Sequence, residues 1–201
     1  MTIEKGEEWG RRSVVPADAV VVDSDHAAAE IVAAARRRNE EIPALALRAG
    51  DLARTLGGTG RVTTGEEGTE LTVDVGAALV DGKLHWFVAH LVARHGWLRG
   101  RIVVAANAAF IGAWNIAPRA HPGDGLLDVV DADPPLRDRL AARRRLPSGT
   151  HVPHPDIRIR RRDAIQVELD RPTAVHLDGR RIGDARNLSI RIEPEALRVW
   201  V

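Results

Sequence analysis

Eight histidines offer imidazole nitrogens for metal binding, and His85, His90 and His95 recur at intervals of five. On a strand that interval sends His90 to the face opposite the other two, so the spacing predicts no three-histidine site. His151 and His154 form a His-x-x-His pair, but in a proline-containing loop where imidazoles commonly satisfy backbone groups instead. The basic runs Arg143-Arg144-Arg145 and Arg158 to Arg162 could attract anionic headgroups, at about 1 kcal/mol per residue near a charged surface. The first run closes a predicted helix, where cations complement the dipole, and the second sends alternate arginines to opposite faces. Neither run is interleaved with aromatics, which argues against a single-stranded nucleic-acid surface. Trp86, Trp97, Trp114 and Trp200 fall in β segments and read as core or rim residues. The absence of cysteine excludes disulfides, thiolate metal sites and a cysteine nucleophile.

These residues need a scaffold, and 201 residues with 44% apolar side chains can build one ordinary domain with a small addition. A formal net charge of +1 gives no global pull toward nucleic acid or an anionic membrane. The lysines are Lys5 and Lys83, so arginine supplies nearly all the positive charge. The charged stretch Met1 to Arg12 has no apolar run of signal-peptide type, and no later segment has the length and apolarity of a membrane span. The expectation is a cytoplasmic protein, at most peripheral to the membrane.

Ala19–Asp23 reads as a strand, Ser24 and Asp25 as a cap, and Ala27–Arg38 as an alanine-rich helix. Ala44–Leu47 is a second strand, and Asp51–Leu56 a short helix stopped by Gly57-Gly58. This unit, residues 19–57, is too small for a doubly wound domain. From residue 70 to 201 the pattern becomes antiparallel. Leu71–Val80 and Lys83–Val92 flank Asp81-Gly82, a dipeptide favoured in tight hairpins. Strands are predicted at Arg101–Phe110, Leu126–Val130, Ile157–Arg161, Ala164–Leu169, Thr173–Leu177, Asn187–Ile192 and Ala196–Val201. One helix, Leu136–Leu146, follows Pro134-Pro135. The fold class is therefore α+β: a β-sandwich-like C-terminal domain with a small α/β unit in front of it.

Within the stretch Val103 to Val129, Asn107, Gly112, Ile116-Ala117-Pro118, Ala120 and Asp124-Gly125-Leu126-Leu127-Asp128-Val129 stand in an order that resembles the diacylglycerol kinase, sphingosine kinase and bacterial lipid kinase superfamily, which is NAD-kinase-like. Val175-His176-Leu177-Asp178-Gly179 resembles the family's strand ending in Asp-Gly-Glu, and Pro194-Glu195-Ala196-Leu197 its closing strand. More faintly, Asp23-Ser24-Asp25-His26-Ala27 stands where family members carry Gly-Gly-Asp-Gly-Thr. Gly50-Asp51-Leu52-Ala53-Arg54 stands near their Asn-Asp-Leu-Ala-Arg. The resemblance covers about Ala19 to Val201, and the family's first βα units have no counterpart, so the chain reads as a truncated and degenerate member.

The resemblance implies a nucleotide-loop remnant at Asp23, Ser24, Asp25, Gly50 and Asp51, and a ligand cleft near Asn107, Trp114, Asp178 and Arg180. A phosphate loop works through close backbone approach and converging N–H groups. Here two carboxylates take that place, and each repels anionic oxygen by roughly 1 to 4 kcal/mol at about 4 Å. ATP is not expected to bind. The family's catalytic glutamate position is occupied by Arg180, which cannot act as a base at neutral pH, so no catalytic residue is expected. The resemblance also implies magnesium at Asp124 with the carbonyls of His121 and Leu126, beside the plainer alternative that Asp124-Gly125 is only a turn. The leading expectation is a non-catalytic lipid-kinase-like protein that binds a lipid or small amphiphile between its two units. The alternatives are a divergent ATP-dependent lipid kinase and an interaction subunit, as a homo-oligomer or beside a partner chain that covers the edge of the short parallel sheet.

Overall fold

The computed structural model describes residues 9–201, so Lys5 and the other residues before Trp9 lie outside the described residues. In chain order the elements are β1 (Arg11–Val14), β2 (Val20–Val22), α1 (Asp25–Arg38), β3 (Leu45–Leu47), α2 (Asp51–Thr55), β4 (Glu67–Val80) and β5 (Lys83–Phe87). They continue with β6 (His90–Arg94), β7 (Ile102–Ala106), β8 (Phe110–Ile111), β9 (Trp114–Asn115) and β10 (Leu127–Ala132). The last are α3 (Leu136–Arg145), β11 (Ile157–Arg162), β12 (Ala164–Leu177) and β13 (Arg180–Trp200).

Local chemistry explains several boundaries. Ser24 caps α1, its hydroxyl accepting the Ala27 N–H at 3.2 Å, and Asn39 ends the helix in the left-handed region with φ 55°. The face that α1 buries is Ala28, Ala29, Val32, Ala33 and Ala35, small side chains that allow close approach to the sheet. Asp81 and Gly82, with φ 44° and 84°, make the two-residue hairpin that pairs Val80 with Lys83. The helix α3 follows the two prolines and ends in its arginine run, as the sequence predicts, and continues into a single 3-10 turn at Leu146–Ser148.

One continuous sheet runs β1-β4-β13-β12-β6-β7-β10-β11, with β5 added to β4 and the parallel pair β2-β3 added to the end of β13. The long strands β12 and β13 shift register near Glu168, Val175 and Glu193, and these bends let one sheet supply both layers of a sandwich-like domain. Its interior is apolar and includes Phe87, Leu91, Leu127, Leu188 and Ile190. A second cluster joins α1, α2, β2 and β3 to β4 and β13 through Val32, Leu45, Leu52, Val73 and Val199.

The architecture agrees with the α+β expectation, and four of its segments differ in detail. Lys83–Val92 is two strands, because the chain breaks at Val88-Ala89. The strand expected through Phe110 ends at Ala106, where Asn107 turns away from the ladder. Conversely, Ala164–Leu169 joins Thr173–Leu177 in β12, and Asn187–Ile192 joins Ala196–Val201 in β13. Register shifts carry the ladder through segments that lack regular alternation. Residues 19–57 hold β2, α1, β3 and α2, and their strands belong to the same sheet as residues 70–201.

Candidate functional site

Asp25, at the first turn of α1, turns its carboxylate inward to α2, accepting the Asp51 N–H at 2.6 Å and the Leu52 N–H at 3.1 Å. Gly50 is required for this approach. Its φ is 113°, and a Cβ there would lie 2.4 Å from an Asp25 oxygen. Asp51 in turn accepts the Gly112 N–H at 2.7 Å, and the Thr55 hydroxyl accepts the Ala109 N–H at 3.0 Å, so α2 is fastened to the bend at residues 107–112. Of the expected loop remnant, Asp25, Gly50 and Asp51 come together. Asp23 is exposed, and Ser24 serves as the α1 cap.

Asp178 is half-buried and its carboxylate accepts three backbone N–H groups, from Val88, Ala89 and His90, each at 2.9 Å. Asn107 holds the other side of the same corner, its amide donating to the carbonyls of Val88 at 2.8 Å and Asp74 at 2.9 Å. These two residues therefore shape the break between β5 and β6. His90 completes the corner: a carbonyl can only accept, so its Nε2 donates to Ala108 O at 3.0 Å, leaving Nδ1 toward Asp51 at 3.9 Å. Burial lowers the His90 pKa to about 4. Burial also raises Asp25 to about 6 and Asp178 to about 7 against the pull of their N–H partners, and the Asp25 charge adds to the Asp178 shift.

The four residues expected at one cleft thus occupy three places. Asn107 and Asp178 hold the β5–β6 corner, whereas Arg180 lies at the surface, donating to His26 Nε2 at 2.7 Å and to Glu30 at 3.0 Å. Trp114 lies beyond the bend, edge-on to Trp97 with ring centres 5.2 Å apart. Both tryptophans line an apolar slot beneath α3, together with Ile102, Val104, Val130 and Leu146. Arg139 fastens α3 above it, donating to the Gly100 carbonyl and the Asp133 carboxylate at 2.6 and 2.7 Å. His151 also lines the slot, close to the Ile116 backbone, with neither ring nitrogen in a full hydrogen bond; burial lowers its pKa.

The residues implied for magnesium do not fit the ion as they stand. One Asp124 oxygen accepts the Leu126 N–H at 3.0 Å, and the other is paired with the Arg161 guanidinium. The His121 carbonyl accepts the Gly123 N–H at 2.8 Å. A cation already neutralises this carboxylate, and the backbone geometry is that of a turn. Neighbouring Asp74, wholly buried, accepts the Gly125 N–H at 2.7 Å and the Glu195 N–H at 2.8 Å and so holds the turn against β13. Sequence reasoning missed Asp74, whose signal was a carboxylate inside the apolar run of β4.

The three histidines do not lie on one strand: His85 is in β5, His90 is buried at the start of β6, and His95, beyond β6, meets Thr173 at 3.2 Å. Among the described residues, Asp138, His154 and Asp156 form one group of potential ligands. The Asp156 N–H donates to His154 Nδ1 at 3.2 Å, so the neutral ring carries its proton on Nε2, facing Asp138 at 4.0 Å. That ring is set as a hydrogen-bonding group, not as a metal ligand.

Residues 77–201 match the family described as the YegS C-terminal NAD kinase beta sandwich-like domain. Among solved structures, the chain is similar to a candidate diacylglycerol kinase from Bacillus anthracis str. Sterne, with TM-score 0.60 and 16% identity over 80% of this chain and 71% of that one. Two further structures from the same organism, one described as a candidate diacylglycerol kinase and one as a diacylglycerol kinase, give TM-scores of 0.57 and 0.52 at 16% identity, with coverage of 79% of this chain and 69% and 66% of theirs. Likeness at this identity establishes a shared fold. No curated protein matches the sequence.

Proposed function

We propose a function from one premise: the chain belongs to the family of the YegS C-terminal NAD kinase beta sandwich-like domain, and it uses this lipid-kinase-like architecture to bind an amphiphile without phosphorylating it. The observation that carries the reading is the slot beneath α3. Its lining is overwhelmingly apolar, it contains two tryptophans, and Arg143 and Arg139 stand at its margin. Its cavity of about 90 Å³ has room for a short stretch of apolar chain, which can leave water there while a polar head remains outside.

The absence of catalysis rests on the fate of the kinase positions. Asp25 caps α2, Asp178 holds the β5–β6 corner, and Arg180 is a fixed cation paired with Glu30. Asp25 and Asp51 stand where the resemblance implies the nucleotide loop, and their oxygens are turned to backbone N–H groups of the protein itself. Such a region repels ATP and lacks a base poised near the substrate hydroxyl. Among the described residues no helix is long and apolar enough to cross a membrane. Leu136 and Leu140, one turn apart on α3, are 55% and 48% exposed, and Leu98 at the slot is 48% exposed. These leucines and the arginine run support peripheral contact with a lipid surface, from which a chain could enter the slot.

Lipid extraction and mass spectrometry of the purified chain test the reading, with Ala142→Trp as the variant that fills the slot from α3. A bound amphiphile that is depleted in the variant is the expected result. Turnover of diacylglycerol or a related lipid alcohol by the natural chain, abolished by Asp25→Ala, would establish the competing kinase instead.

A further inference from the structure

Asp128, on β10, is 1% exposed, and neither of its carboxylate oxygens has a hydrogen-bond donor. Arg161, its neighbour across the β10–β11 ladder, stays 3.8 Å away at Nε and commits its Nη2 to Asp124. Leaving a buried carboxylate without donors is costly, and such groups ordinarily acquire a partner. This side chain lies in the wall of an open cavity of about 560 Å³, rimmed by Pro118, Val152 and Pro153 and lined by Arg119 and Arg161.

The charges around the cavity select the class of ligand. The carboxylates of Asp128 and Asp124 are matched by the guanidiniums of Arg161 and Arg119. An added cation meets the arginines, and an added anion meets the carboxylates, so neither gains a net field. A neutral group that both donates and accepts fits: its O–H groups supply what Asp128 lacks, and its oxygens accept from the arginines. Two adjacent hydroxyls match the two oxygens of one carboxylate. We propose that this cavity binds a vicinal diol, the head of the amphiphile whose tail occupies the slot beneath α3. Ile157 lines both cavities, so their walls are one side chain apart. The tail assignment rests on the amphiphile reading; the diol assignment rests on Asp128.

Calorimetric titration of the full chain separates the two. The probes are 1-monohexanoylglycerol, methyl hexanoate, which has the tail without the diol, and glycerol, which has the diol without the tail. The natural chain should bind the monoacylglycerol at least about tenfold more tightly than the ester, the margin of a hydrogen-bonded pair with a charged acceptor. Asp128→Leu should bring the monoacylglycerol down to the ester's affinity, the shape-preserving Asp128→Asn, which keeps one acceptor oxygen, should lower it part of the way, and both should leave the ester unchanged. Ala142→Trp should weaken both acyl probes alike. If the ester and the monoacylglycerol bind equally in the natural chain, the diol site is overturned while the slot stands. If glycerol binds and depends on Asp128, but Ala142→Trp affects neither acyl probe, the slot fails and the diol site stands. Heat released by magnesium chloride, lost in Asp128→Leu, with no preference for the diol, would make the cavity a metal site and overturn the proposal.

Discussion

Asp128 and Asp178 are carboxylates in opposite circumstances. Asp178 receives three N–H groups and fixes a chain corner, whereas Asp128 receives none. The difference has a measurable pH signature. In the folded chain Asp128 keeps its proton up to about pH 6, against an ordinary value of 3.8. Between those values the native state binds more protons than the unfolded state, so this group's contribution to stability falls as pH rises through the window. Asp128→Asn removes that loss. The variant should match the natural chain near pH 4 and become more stable above about pH 6, by on the order of 1 kcal/mol after allowance for screening by the nearby arginines. Urea unfolding at pH 4.5 and pH 8 checks the trend, and an unchanged difference across the two would show that Asp128 is not held protonated. Stabilisation combined with loss of diol binding is the pattern expected of a residue kept for function.

The β4–β5 hairpin shows how an element depends on one close contact. Gly76 pairs with Phe87 across the ladder, and a Cβ at Gly76 would lie 2.1 Å from the Phe87 ring. Phe87 is wholly buried among Leu91, Leu127 and Leu188, so the ring has no free space to move into. Gly76→Ala should destabilise the chain by about 1 to 3 kcal/mol, as overpacking does, read from the midpoint of chemical denaturation. A neutral substitution would mean that the ring and strand separate more freely than the packing indicates. The edge strand β11 is managed differently: its arginines alternate with Ile157 and Ile159, which pack inward, and an edge so charged resists pairing with another sheet. The arginine run that invites a ligand reading is in part this protection, with Arg161 diverted to Asp124.

At the level of the molecule, β13 links the small α/β unit to the sandwich. Its end pairs with β3 in parallel and with β4 antiparallel, and Trp200, 2% exposed, packs with Val15, Ala46 and Val62 while donating to the Ser13 hydroxyl at 2.8 Å. The two units share strands and core, so they should unfold together. Trp200→Ala should cost about 3 to 5 kcal/mol while far-UV circular dichroism and tryptophan fluorescence still report one coincident transition. Two separated transitions would show that residues 19–57 form an independent unit. The same continuity fastens the small unit to the sandwich: α2 is bonded to the 107–112 bend, and Asp25 is bonded to α2.

Sequence alone determined what depends on near neighbours. The Ser24 cap, the Asp81-Gly82 hairpin, the proline-led start of α3, the antiparallel character after residue 70 and the family stretch around Asp124 all express chemistry within a few positions of the residues concerned. The tertiary structure decided where polar side chains spend their hydrogen bonds. Asp178 reaches Val88 across 90 positions, Asn107 reaches Asp74 across 33, and Arg161 reaches Asp124 across 37. A motif written in consecutive residues does not record which distant N–H or guanidinium will meet its carboxylate. For that reason the motif names Asp178, Asn107 and Asp128 but not their partners: Asp178 and Asn107 hold a chain corner, and Asp128 faces Arg161 at 3.8 Å with no hydrogen-bond donor, because burial and donor supply are properties of the assembled sheet.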